Sequence, residues 1–173
     1  MIEMVLEDVV VRVDSGDATK IVWDQRMIVL REKRGDRALP IWMGAGEGNA
    51  LAVQLRDAPP PRPLTADLMA EVVRVLGGRV ERAAVTRLDE MTFYATVTVD
   101  GQELDARPSD AINLAVRTGA PILVAADVLE SAGLVGDALE AAKWDCAVEQ
   151  DLPEGTWSSL SAELLAALHR MPR

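Results

Sequence analysis

The sequence predicts an α+β domain: a mixed, largely antiparallel sheet with helices packed on it, forming one compact unit followed by a C-terminal helical tail. Three observations lead there. Short runs rich in Val, Leu and Ile, of strand length, recur along the chain between Gly- and Asp-rich turns. Segments with helical spacing of apolar residues stand between them. Three of the strand runs, residues 79–88, 92–99 and 102–106, follow one another across tight turns, which only an antiparallel meander permits.

Taken in order, Met4–Val13 reads as the first strand and Ser15-Gly16-Asp17 as the turn after it. Met27–Leu30 and Ala38–Met43 form a hairpin whose charged tip, Arg31 to Arg37, turns at Gly35. The tip is a solvated turn or a phosphate contact. Gly44-Ala45-Gly46 breaks the strand and Glu47 opens a helix to Arg56, with Leu51 and Leu55 on one face. Ala58–Pro63 holds four prolines and must be extended. Thr65 caps the next helix, Ala66–Leu76, and Gly77-Gly78 ends it. In the meander, Asp89-Glu90 and Asp100-Gly101 make the turns. Ser109 caps a helix from Asp110 to Thr118 that Gly119 stops, and Pro121–Val124 is one more short strand. Asp127 caps a helix to about Ala132, and a further short helix covers 138–142. From Lys143 the texture becomes acidic and irregular until Ser159, which caps a last helix to about Arg170 with Leu160, Leu164, Leu165 and Leu168 on one face. The domain reading is thus 1–135 for the body and 136–173 for an acidic extension.

Size and composition bound the function. A chain of 173 residues can bury roughly 70% of its unfolded surface and needs no disulfide or metal to fold. Cys146 is the one cysteine, so no intramolecular disulfide forms, in keeping with a reducing cytoplasm; we read it as a small packed hydrophobe. The N-terminal run carries acids where a signal peptide carries bases, and no uncharged stretch reaches membrane-span length. A cytoplasmic location and no membrane partner are expected. The formal charge of -10 opposes broad nucleic-acid binding. Its distribution is uneven: residues 1–60 hold 10 acids and 8 bases, 61–120 hold 9 and 7, and 121–173 hold 9 and 3. The body is therefore nearly balanced and leaves room for a local basic face.

Several chemistries are excluded. No phosphate loop ending in Gly-Lys-Ser/Thr occurs. One Cys and one His, His169 near the end, can close neither a zinc site nor a Ser-His-Asp triad. Carboxylates and arginines remain: Glu47, Asp67, Asp105 and Asp110 with Arg62, Arg107 and Arg117. Asp105 to Arg117 is the densest stretch, two of each charge around a strand-to-helix junction. Glu47, Asp67 and Asp110 lie at helix starts, where compensating the helix dipole is reason enough for an acid. Asp105 ends a strand, so no cap accounts for it. An Asp105–Arg107 or Asp110–Arg117 ion pair is the structural alternative to a site. Carboxylates from separate elements could otherwise hold Mg²⁺ or Mn²⁺, with arginines on a phosphate.

These residues fall in blocks that resemble the bifunctional nuclease domain family. The blocks are LPIWMG (39–44) with Glu47 after it, PRPLTADLM (61–69), TFYATV (92–97) and DARPSDAINLAVRTGAPI (105–122), in the family's order and covering about 1–135. The resemblance implies a compact α+β domain, a homo-oligomer with a dimer favoured, and cleavage of both RNA and DNA. It supports Arg62, Asp67, Asp105, Arg107, Ser109 and Asp110 as site residues. On that reading Asp67, Asp105 and Asp110, with Glu47, hold the metal and its water. Arg62 and Arg107, with Arg117, hold the phosphate, and Ser109 positions an oxygen. A non-catalytic regulatory or interaction module of the same fold is the alternative. Two departures bear on the choice: Ala66 stands where the family commonly has histidine (LTHDL), and Gly48-Asn49 follow Glu47 where small and acidic residues are usual.

Overall fold

A computed structural model of the chain describes residues 1–14, 25–56, 60–139 and 155–159, the last segment and 11–14 and 25 by backbone alone. It is an α+β fold. The nine strands are β1 (Ile2–Asp14), β2 (Gln25–Glu32), β3 (Arg37–Gly44), β4 (Val80–Asp89), β5 (Thr92–Val99), β6 (Gln102–Ala106), β7 (Ile122–Val124), β8 (Leu134–Val135) and β9 (Gly155–Ser159). They make one sheet in the order β6-β5-β4-β7-β1-β2-β3-β8, with β9 also paired to β1. Only β4 and β7 run parallel; the other described pairings are antiparallel.

β1 organises the sheet. One of its edges pairs with β2, and the other is shared by β7 at Ile2–Met4 and β9 at Val10–Asp14. A bulge between Leu6 and Asp8 shifts its register, so the inward set changes from Met4 and Leu6 to Val9. β2 is buried on both faces: Ile28 and Leu30 join the main core under the helices, and Met27 and Val29 a smaller one with Val10, Ala38 and Leu139. Asp100 and Gly101 both have positive φ, 47° and 76°, the mirror-image turn that an Asp-Gly hairpin predicts.

Four helices lie wholly among the described residues: α1 (Ala45–Leu55), α2 (Thr65–Val75), α3 (Pro108–Thr118) and α4 (Ala126–Ala132). α1 packs on β1, β2 and β3, and α3 on β4 and β5; α3 also touches α1, and α2 packs on α3. None of the four is long and apolar enough to cross a membrane.

Each predicted helix that falls wholly within the described residues is present, but the caps differ. α1 starts at Ala45, because extended Gly44 is its N-cap. α2 is capped by Leu64, whose N–H donates to Asp67 Oδ2 at 2.7 Å, so Thr65 is its first residue. Arg107 caps α3, with Pro108 at the first position, where a missing N–H costs nothing; Ser109 is one residue inside. Ala125 caps α4, and Asp127 lies in its first turn. Two strands were not expected. β8 has two residues only, and β9 falls in a stretch read as irregular; Ser159 ends that strand. The turn at 15–17, Cys146, His169 and the leucine-faced helix beyond Ser159 lie outside the described residues, as do Ala58 and Pro59; 137–139 are helical before the description stops.

Candidate functional site

α3 carries two arginines at opposite ends, and each pairs with a carboxylate of another helix. At its N-terminus Arg107 grips Asp110 bidentately, Nε to Oδ2 at 2.7 Å and Nη2 to Oδ1 at 3.1 Å, and reaches Glu47 Oε1 on α1 at 2.9 Å. At its C-terminus Arg117 pairs with Asp67 of α2 through Nε and Oδ1. The observed pairs are therefore Asp110–Arg107 and Asp67–Arg117, not the two that the sequence suggested as structural alternatives.

The Arg117 cluster is closed. Its side chain is 5% exposed. Beyond Asp67 it donates to Asn113 Oδ1 at 2.8 Å, to the Asn113 carbonyl at 3.1 Å and to the Ala50 carbonyl at 3.2 Å. Asn113, itself buried, donates to the carbonyls of Glu47 at 3.1 Å and Ser109 at 2.9 Å. Arg117 and Asn113 thus tie α3 to α1, and Asp67 adds α2. Burial works against charge on Asp67. The Leu64 amide and the Arg117 guanidinium outweigh it and hold the carboxyl below its usual range.

The Arg107 cluster is open. Its side chain is 66% exposed, and Nη1 makes no hydrogen bond within the described residues. The hydrogen bond and charge of Asp110, then Glu47, raise its pKa further above the usual arginine range. Beside it lies a cavity of about 440 Å³. Its walls are mostly apolar: Ala50, Leu64, Ala66, Met69 and Leu114 line it, with Glu47, Arg107 and Asp110 as the charged members and Asn113 among the polar ones. Ala66 faces this cavity, so the departure from the family pattern removes a side chain from its wall.

The other expected site residues are elsewhere. Asp105 pairs with Thr96 across the sheet, while Ala106 pairs with core residue Ala95. The alternation puts Asp105 on the face away from the helices. It is exposed, with no side-chain partner among the described residues. Arg62 is exposed on the segment before α2, also without one. Ser109 is buried in the first turn of α3, where its carbonyl accepts from Asn113. A second cavity, about 610 Å³, has Asp67 and Arg117 in its wall with Arg74, Arg79, Glu71 and Glu81. At the hairpin tip Arg31 pairs with Glu7, Lys33 with Glu3 and Arg37 with Glu32, which leaves Arg34 as the cation there with no such partner in the described set.

The four carboxylates expected around Mg²⁺ or Mn²⁺ are therefore dispersed. Asp67 is taken by Arg117, Asp110 and Glu47 share Arg107, and Asp105 is on the other face. Among the described residues no three His, Cys, Asp or Glu side chains are grouped closely enough to hold a metal ion. As arranged, they do not fit a divalent cation.

Asn113 was not singled out from sequence. An asparagine inside a helix among Ile112, Leu114 and Ala115 was the available signal, since it is unfavourable there unless its amide is used. Gly48 is explained by close packing: a Cβ there would come within 2.4 Å of Arg26 Cβ. Arg26 is itself buried and donates to Asn49 Oδ1 at 3.0 Å, so the Gly48-Asn49 pair seats β2 against α1.

A mixed sheet with a charged, apolar-walled cavity where three helices meet defines a small α+β domain with an open cavity at one end of α3. The chain belongs to the bifunctional nuclease domain family, whose model matches residues 28–137. It is also similar to two Mycobacterium tuberculosis proteins, from two strains, both described as uncharacterized. Each is 42% identical over 113 residues, covering 65% of this chain and 69% of theirs.

Proposed function

We propose that this protein binds unpaired RNA or DNA at the cavity between α1, α2 and α3, and that Arg107 contacts the phosphate at its mouth. The observation that carries this is the exposed guanidinium of Arg107, fixed by two carboxylates beside an apolar cavity, with Nη1 unused by any hydrogen bond among the described residues. Its size lies in the range of small-ligand sites, roughly 300–1,000 Å³. A base inserted there must leave its stack, so paired nucleic acid is disfavoured. With a chain charge of -10 and two acids around one arginine, affinity comes from the apolar wall more than from phosphates. One phosphate contact gives a log–log salt slope near about -0.7 for a single strand.

Family membership supports phosphodiester cleavage as the activity. Glu47 or Asp110 is the base within reach of the bound strand. In RNA it would take the proton of the 2′-hydroxyl as that oxygen attacks phosphorus, Arg107 would offset charge on the phosphoryl oxygens, and the 5′-oxygen would leave with a proton from solvent water, giving a 2′,3′-cyclic phosphate. The closed grip of both carboxylates on Arg107 favours a second reading, a non-catalytic module that binds without cutting.

Labelled single-stranded RNA and DNA, incubated with the protein with and without EDTA, separate these readings. Binding with RNA cleavage that survives EDTA supports the carboxylate mechanism. Binding without cleavage supports the module. Cleavage abolished by EDTA places the chemistry with a metal and residues beyond those described. No binding to either strand defeats the proposal.

A further inference from the structure

The cavity and the two arginine clusters belong to the site already described, and the edge strand β6 presents Glu103 and Asp105, whose charges oppose pairing with a copy of itself. The outer face of α2 is different. None of its residues is buried. Its inward side is Ala66, Asp67, Ala70 and Val73, whereas its large apolar residues point outward: Leu68, Met69, Val72 and Val75, continued by Leu76, are 47% to 80% exposed. This is an amphipathic helix with its greasier stripe in solvent.

We infer that this stripe is the contact surface for a second copy of the chain, joined by antiparallel packing of α2 on α2 about a two-fold axis at Val72. The stripe is symmetric about that residue. Leu68 and Leu76 lie four positions before and after it, and Met69 and Val75 three. A two-fold axis there sets Leu68 against Leu76 and Met69 against Val75, with Val72 meeting itself, as an isologous contact requires. The five side chains expose on the order of 500 Å², which doubles to about the 1,000 Å² that a specific interface needs. No charged residue interrupts the stripe. Glu71, the acid at its flank, is neutralised within the same helix by Arg74, Nε to Oε2 at 2.7 Å. Met69, at the edge of the stripe, also lines the cavity, so a second copy on this face would border the proposed nucleic-acid site.

Sedimentation of the full chain over a micromolar concentration range tests it. A dimer is expected, tightened by added salt because each copy carries -10. Val72→Glu and Leu76→Glu should each weaken it at least 100-fold, since both copies would bury an unpaired charge. These positions are exposed in one copy, so circular dichroism should be unchanged. With Cys146→Ser as background, Val72→Cys should oxidise to a disulfide-linked dimer, and Met91→Cys at the exposed β4–β5 turn should not. A monomer at every concentration would overturn the inference and leave the stripe to some other occupant. Equal cross-linking at both positions, or a dimer indifferent to both Glu variants, would overturn it as well.

Discussion

Arg107 and Arg117 lie at opposite ends of one helix and each binds carboxylates, yet they do different work. Arg117 is closed in: its donors go to Asp67, Asn113 and the Ala50 carbonyl, and almost none of it meets solvent. Arg107 holds Asp110 and Glu47, leaves Nη1 without a hydrogen bond among the described residues and lines a cavity. The difference lies in what surrounds each arginine rather than in residue type. Three helices meet over Arg117, whereas Arg107 caps α3 where the chain enters from an edge strand. A buried, fully used guanidinium holds structure together; an exposed, partly used one is available to a ligand.

Substitutions should separate the two. The largest effect is expected for Arg117→Ala, which leaves Asp67 and Asn113 without their partner. Breaking such a pair costs about 3–5 kcal/mol, or roughly 10 °C in Tm, read by thermal and denaturant unfolding. Arg117→Lys should recover little, because one ammonium cannot reach acceptors on both α1 and α2. Next is Gly48→Ala, which forces a methyl against Arg26 Cβ and should cost about 1–3 kcal/mol.

Acid sharpens the same contrast. The carboxyl of Asp67 is held below its ordinary pKa of 3.8, so its contribution is present above that value. It is lost as pH falls through the lower folded-state pKa. Asp67→Asn should flatten the stability-versus-pH curve in that acidic window and leave it unchanged in shape near neutrality. A variant curve that still falls as steeply as the wild type would mean that other carboxylates carry the acid response. The smallest stability effect is expected for Arg107→Ala. Its ion pairs are largely exposed, and such pairs contribute about 0.2–1 kcal/mol, while ligand binding should weaken at least tenfold.

The elements were legible in the sequence because strand runs, helical spacing and Gly or Pro stops are local signals. Asp100-Gly101 made the expected turn, and the α3 stop at Gly119 adopts φ 70°. Caps were harder. Ser109 and Thr65 have the side chains of good N-caps, but Pro108 and the Asp67–Leu64 hydrogen bond moved the starts of α3 and α2. β9 was illegible, since its pairing with β1 joins residues about 145 positions apart. At the site, residue types identified Glu47, Arg107 and Asp110 but could not separate them from Asp67, Arg117 and Asp105. Which carboxylate met which arginine depended on helix packing, and the side of Asp105 on strand register.

The central claim is that Arg107, and not Arg117, meets a ligand. The direct measurement is anisotropy of a labelled single-stranded RNA titrated with wild-type, Arg107→Ala and Arg117→Lys protein, each first shown to be folded at the assay temperature. The account predicts that Arg107→Ala keeps its Tm and loses binding at least tenfold, while folded Arg117→Lys binds within about twofold of wild type. Undiminished binding by Arg107→Ala would contradict it.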